Sequence, residues 1–217
     1  MSKFVEKVSS FNKSKLKTVE YISKSRTQFL PYSSIILDEI MSITNPKKII
    51  CSISGLREGS LSIDHFKNTK ESEIFTKSIE YIALKRGDLG STYQKYFKFI
   101  LPVFDGNEHY NKKLLHLACV LSHMDWGLGA FQKAELVFQE TLNTPLLRLT
   151  HKERIQLALS CYWRYCSIKY NPKFEYLTFL NNNEIFSSKQ VGAALRFSQS
   201  LTSISTIFLE EFKLYKR

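Results

Sequence analysis

A chain of 217 residues can bury roughly two-thirds of its unfolded surface, and 43% hydrophobic with 13% aromatic content excludes the apolar-poor signature of disorder. The first ten residues hold lysines with no apolar stretch behind them, and no run approaches the roughly 18 apolar residues of a membrane span, so neither a secretory leader nor a membrane anchor is expected and the cytoplasm is the expected location. The net charge of +11, from 31 basic and 20 acidic residues, favours polyanions as a class without choosing among nucleic acid, polyphosphate, anionic lipid and nucleotides.

The charge is concentrated at the ends. Residues 1–66 carry ten basic against six acidic residues, 67–148 eleven against nine, and 149–217 ten against five. Lysines number 23 and arginines eight, a balance that also suits a solvated lysine-rich surface, because arginine is the better geometric recogniser of phosphate. Cys51, Cys119, Cys161 and Cys166 show no C-x-x-C spacing and read as reduced core thiols rather than a zinc or redox motif.

In chain order, Leu16, Val19 and Ile22 predict an amphipathic helix over 10–24. Leu30 and Pro31 open a second helix with an Ile35, Ile36, Ile40, Met41 stripe, closed by Asn45 and Pro46. Lys48-Ile-Ile-Cys-Ser-Ile-Ser54, between Pro46 and Gly55, reads as a short buried strand. Helices are predicted over 70–85, 91–104, 110–125, 130–143, 151–168, 172–181 and 187–203, and only Thr206 to Tyr215 could supply another strand. A lone strand leaves its backbone groups unpaired, so the rest of its sheet is expected outside these residues. The polar stretch Asp64 to Glu73 is the expected boundary between the two parts.

Chemistry-bearing residues are sparse. Gly55-Leu-Arg-Glu-Gly59 follows the strand, where α/β proteins place ligand loops, although it equally describes a tight turn into a helix and is neither a Walker loop nor a dinucleotide fingerprint. His116 and His123 lie two helical turns apart, roughly 10 Å along the axis and too far to share one ion, and His123 and Asp125 diverge unless Trp126 and Gly127 break the helix. Thr150 and Glu153 have capping-box spacing, which makes His151 part of a helix start rather than a catalytic group. Arg154, Arg164 and Arg196 lie beside apolar stripes and are expected to pair with acids or face a groove. No nucleophile elbow, H-E-x-x-H or kinase signature is present.

Taken together, Arg26-Thr-Gln-Phe-Leu-Pro-Tyr-Ser-Ser-Ile-Ile-Leu37, the strand, and Ser54-Gly-Leu-Arg-Glu-Gly-Ser-Leu61 resemble the C-terminal part of the Ppx/GppA phosphatases, the exopolyphosphatase and guanosine pentaphosphate phosphohydrolase family. Leu115 to Leu121 with Trp126, Thr150 to Arg154 with Leu157, Ala158 and Tyr162 to Tyr165, and Val191 to Phe197 look like that family's helical domain. The likeness spans roughly residues 10–200. It implies a mainly α fold, with residues 1–66 a helix-helix-strand remnant of an actin-like (ribonuclease H-like) lobe and residues 67–217 a helical HD-like domain.

The resemblance also implies what to expect of function. The family's phosphate loops, metal-binding carboxylates and water-activating glutamate lie upstream of the matching region, so a chain starting at this Met1 is expected to lack them and to be inactive alone. Ser122-His123 falls where HD phosphohydrolases carry a His-Asp metal pair, and serine is a poor ligand, so no metal or other cofactor is expected on this chain, with Mg2+ reserved for the complete family enzyme. The implied role is a split-enzyme half, or a remnant, that binds polyphosphate or guanosine penta- or tetraphosphate beside a separately encoded N-terminal catalytic half. Arg26 and Arg57 are the candidate polyanion contacts, and a second copy of the chain is a further candidate partner. The alternative is a stand-alone basic helical module for nucleic acid or a protein; no nucleic-acid motif supports the former.

Overall fold

Fifteen consecutive residues, Leu30–Thr44, form the longest helix of the N-terminal part, with Pro31 in its first turn and Asn45 ending it in the left-handed conformation at φ 40°. The computed structural model describes residues 2–19, 22–52, 55–57, 59–60, 69–87, 92–123, 129–146, 149–170, 172–202 and 207–215. It divides into two units, Met1–Ser52 and Ile53–Arg217. Asp64 to Asn68, half of the expected boundary stretch, lie outside the described residues.

The first unit holds α1 (Ser2–Ser9), α2 (Lys13–Leu16), α3 (Lys24–Thr27) and α4 (Leu30–Thr44). The helix expected over 10–24 does not form as one element. Asn12 accepts from the Lys15 amide and starts a separate short turn, and among the described residues the Lys- and Ser-rich sequence buries only Leu16 there. A stretch with so little apolar surface has no packing to sustain nucleation. Lys48 to Ser52 have no regular secondary structure, and Ile50 is 78% exposed. No strand occurs among the described residues.

The second unit comprises α5 (Glu71–Lys85), α6 (Thr92–Phe104), α7 (Lys112–Leu121), α8 (Ala130–Asn143), α9 (His151–Tyr165), a 3-10 turn (Glu175–Phe179), α10 (Asn182–Thr202) and α11 (Phe208–Glu211). The mainly helical expectation is met. Phe208–Glu211, inside the segment that could have been a strand, is a helical turn, and half of the helix expected over 172–181, Glu175–Phe179, is 3-10.

The unit is organised around α9. Every residue from Arg154 to Arg164 is buried, because its two faces enter different cores. Leu157 and Cys161 join the cluster built from α5, α6, α7 and α10, whereas Ile155, Ala158, Leu159, Tyr162 and Trp163 join Ala134 and Phe138 of α8. A helix apolar on both faces becomes the inner wall of a bundle. Its start is fixed by the predicted capping box: Thr150 accepts from the Glu153 amide at 3.2 Å, and Glu153 accepts from the Thr150 amide at 2.8 Å.

Candidate functional site

α4 is amphipathic in the reverse sense. Among the described residues its one buried member is Ser34, whose hydroxyl donates to the Leu30 carbonyl at 2.7 Å. Its large apolar side chains, Tyr32, Ile35, Ile36, Leu37, Ile40 and Ile43, are exposed, Ile36 at 61% and Ile43 at 80%. Tyr32, Ile36, Ile40 and Ile43 follow helical spacing and share one face. The β-branched Ile49 and Ile50 continue this apolar display beyond the helix. Large contiguous exposed apolar patches are uncommon on monomeric proteins and occur where protein or membrane contacts are made.

Arg26 is exposed on α3 in the first unit, and its neighbour Thr27 is buried. Arg57 is exposed in the helical turn after Gly55, where the Gly59 amide donates to the Gly55 carbonyl at 3.1 Å. The two lie in different units. Ser54 and Glu58 of the same motif lie outside the described residues.

The Ser122-His123 position is built around two arginines. Ser122 caps α7, and its hydroxyl accepts from Arg164 Nη1 at 2.9 Å. Arg164 Nη2 donates to His123 Nδ1 at 3.2 Å and to Gln199 Oε1 at 2.7 Å. A guanidinium only donates, so Nδ1 is the acceptor and a neutral His123 carries its proton on Nε2. Arg86 Nη1 reaches the Leu121 and His123 carbonyls at 2.8 and 3.1 Å, and its Nη2 pairs with Glu140 at 3.1 Å. Tyr165 donates to the Ser122 carbonyl at 2.8 Å, and Tyr96 donates to Gln199 at 2.7 Å.

Arg164 is 5% exposed and its Nε is buried without a hydrogen-bond partner. The hydrogen-bond partners of its Nη atoms are all neutral, so the position resembling a metal pair is occupied by a fixed guanidinium. Asp125, the third residue of that constellation, lies outside the described residues. His116 points to other partners: its ring stacks on Phe97 at 4.3 Å and Tyr93 at 5.6 Å. Among the described residues no group of three or more His, Cys, Asp or Glu is gathered as a metal site.

The remaining internal arginines serve helix ends. Arg154 donates to the carbonyls of Leu142, Thr144 and Leu146 at the end of α8. Arg196 donates to the Cys166 carbonyl just after α9 at 2.6 Å. The last carbonyls of a helix lack intrahelical donors and carry partial negative charge, which a guanidinium satisfies on both counts. Against the expectation of acid pairing or a groove for Arg154, Arg164 and Arg196, among the described residues they hold carbonyls and neutral side chains, whereas Arg86, outside that set, pairs with an acid.

Chemically, the cluster around Arg164 supplies donors and a fixed positive charge, with no activated nucleophile. The Ser122 hydroxyl is held by Arg164. No helix among the described residues is long and apolar enough to cross a membrane. No protein-family model matches the chain, and no curated protein matches its sequence.

Proposed function

We propose that these residues act as the helical, non-catalytic portion of a Ppx/GppA-type exopolyphosphatase. In this reading α4 and Lys48 to Ser52 dock onto a sheet-bearing catalytic half, and exposed basic residues, Arg26 and Arg57 among them, hold polyphosphate or a guanosine tetra- or pentaphosphate. The reversed amphipathicity of α4 carries the reading: a helix with Ile36 and Ile43 in solvent, followed by the exposed β-branched Ile49 and Ile50, suits one half of a helix-on-sheet layer. The resemblance over Arg26 to Leu37 and Gly55 to Gly59 names the kind of sheet that fits. Hydrolysis and its Mg2+ belong to the other half.

The experiment is reconstitution. The chain is mixed with the N-terminal lobes of a Ppx/GppA phosphatase, and complex formation and amide exchange are followed. The expected result is a one-to-one complex in which the amides of Lys48 to Ser52 become protected, lost in the Ile36→Glu, Ile43→Glu double variant. Self-association through the same face, or no association, contradicts it. The exposed face also suits a stand-alone protein-binding module, which the same experiment separates by the absence of any complex with phosphatase lobes.

A further inference from the structure

A groove of about 470 Å³ runs between α6 and the segment 208–215. Its apolar lining is Phe99 and Leu209, both buried, with the half-buried Leu214 and the exposed Pro102. Its rim is cationic. Lys95, Lys98 and Lys213 line it, together with one acid, Glu210, which Lys95 engages at 3.0 Å. Lys98 and Lys213 have no carboxylate partner among the described residues. Phe212 and Tyr215 add exposed rings beside Lys213.

We propose that this groove binds one single-chain amphiphilic anion, its hydrocarbon chain on the Phe99, Pro102, Leu209 and Leu214 floor and its acidic head between Lys98 and Lys213. The volume falls within the roughly 300–1,000 Å³ of small-molecule sites, which combine an apolar lining with a few placed polar groups. The order of chemistries selects the ligand. Besides the three lysines the polar groups lining the groove are Gln94, Glu210 and the Tyr215 hydroxyl, and it is the apolar stretch of Phe99, Pro102, Leu209 and Leu214 that favours a hydrocarbon chain over a nucleotide base. Placing an alkyl chain there covers apolar area from water, and the head meets ammonium groups that remain at the surface. The site is independent of α4 and of phosphatase docking.

The test is titration of the full chain with laurate, dodecyl phosphate and dodecanol. Saturable one-to-one binding of the anions is expected, with the better of the two heads identifying a carboxylate or a phosphate ligand. The Lys98→Glu, Lys213→Glu variant should weaken it by about tenfold or more, as expected when a steering cation pair is reversed. Lys169→Glu with Lys173→Glu, the same charge change at exposed positions elsewhere, should leave it unchanged. Equal binding of dodecanol, an unaltered affinity in the Lys98 and Lys213 variant, displacement of laurate by GTP at comparable concentration, or no saturable binding would overturn the assignment.

Discussion

Gly192 of α10 sits so close to Trp163 of α9 that a β-carbon at position 192 would lie 2.6 Å from Trp163 Cβ and 2.8 Å from the Ser160 carbonyl oxygen. The glycine is what lets the two longest-buried faces of the bundle touch. Alanine at an ordinary helix interior position gains up to about 1 kcal/mol over glycine, but here the obstructing atoms belong to a neighbouring helix backbone and cannot swing aside. Overpacking of this kind costs roughly 1–3 kcal/mol. Gly192→Ala is therefore expected to lower the denaturation midpoint, and Gly192→Val to lower it further. A midpoint that rises in Gly192→Ala would show that the helices separate without loss.

Arg164 stabilises the end of α7 as a hydrogen-bond donor. Arg164→Met keeps the hydrocarbon volume but leaves the buried Ser122 hydroxyl short of its donor, at a cost of about 1–3 kcal/mol, and also removes one of the two donors to Gln199 Oε1, which keeps Tyr96. Ser122→Ala removes one neutral partner and should cost about 1 kcal/mol. Urea unfolding of both variants checks the order. Equal losses in the two would contradict a guanidinium that serves several partners at once.

Thiol reactivity separates the cysteines. Cys51 is exposed, while Cys119, Cys161 and Cys166 are buried. Burial pushes the Cys161 thiol up to about 11 and raises that of Cys119 further, so neither supplies thiolate near neutrality. One thiol per chain should react with iodoacetamide under native conditions, and none in Cys51→Ser. A second native label would contradict the packing of α7 against α9.

His116 makes acid sensitivity predictable in sign. Desolvation, with the nearby Lys112 ammonium adding to it, lowers its imidazole below the ordinary 6.5. Lys113 also lies close, over the Phe75 ring that packs edge-on to the imidazole. The unfolded chain takes up the proton first as pH falls, so the stability tied to neutral His116 is complete above about 6.5 and is lost from there down through the folded value. His116→Phe keeps an aromatic ring between Phe97 and Tyr93 and should flatten this acid limb of the melting temperature. An unchanged slope in the variant would assign the acid sensitivity elsewhere.

Elements with local signals were legible in the sequence. Pro31 and Asn45 bracket α4, and Thr150 with Glu153 fixes the start of α9, because caps and turn residues act within a few positions. The helix over 10–24 failed since three apolar residues in a Lys-rich stretch do not imply a surface to pack on. Of the strand expected over Lys48 to Ser54, residues 48–52 have no regular secondary structure and Ile53 and Ser54 lie outside the described residues; β propensity reports fitness for a pleated surface that some other segment must supply. Arginine roles were the least legible. Arg86 reaches Leu121 and His123 across 35 and 37 positions, and nothing near Arg86 in the chain announces those carbonyls. The groove beside Lys98 was missed because its far wall, Phe208–Glu211, read as a possible strand. Arg26 and Arg57 are exposed.

The central claim is that these residues dock and hold a polyanion while the chemistry resides on a partner half. The most direct measurement is phosphate release from polyphosphate and from guanosine pentaphosphate with Mg2+, by the chain alone and then with sheet-bearing phosphatase lobes added. The account predicts background release alone and restored hydrolysis in the mixture, with Arg57→Ala impairing the restored rate more than Lys152→Ala, whose ammonium already pairs with Glu184 at 3.3 Å. Robust turnover by the chain alone, or a mixture no more active than the added lobes, would contradict it.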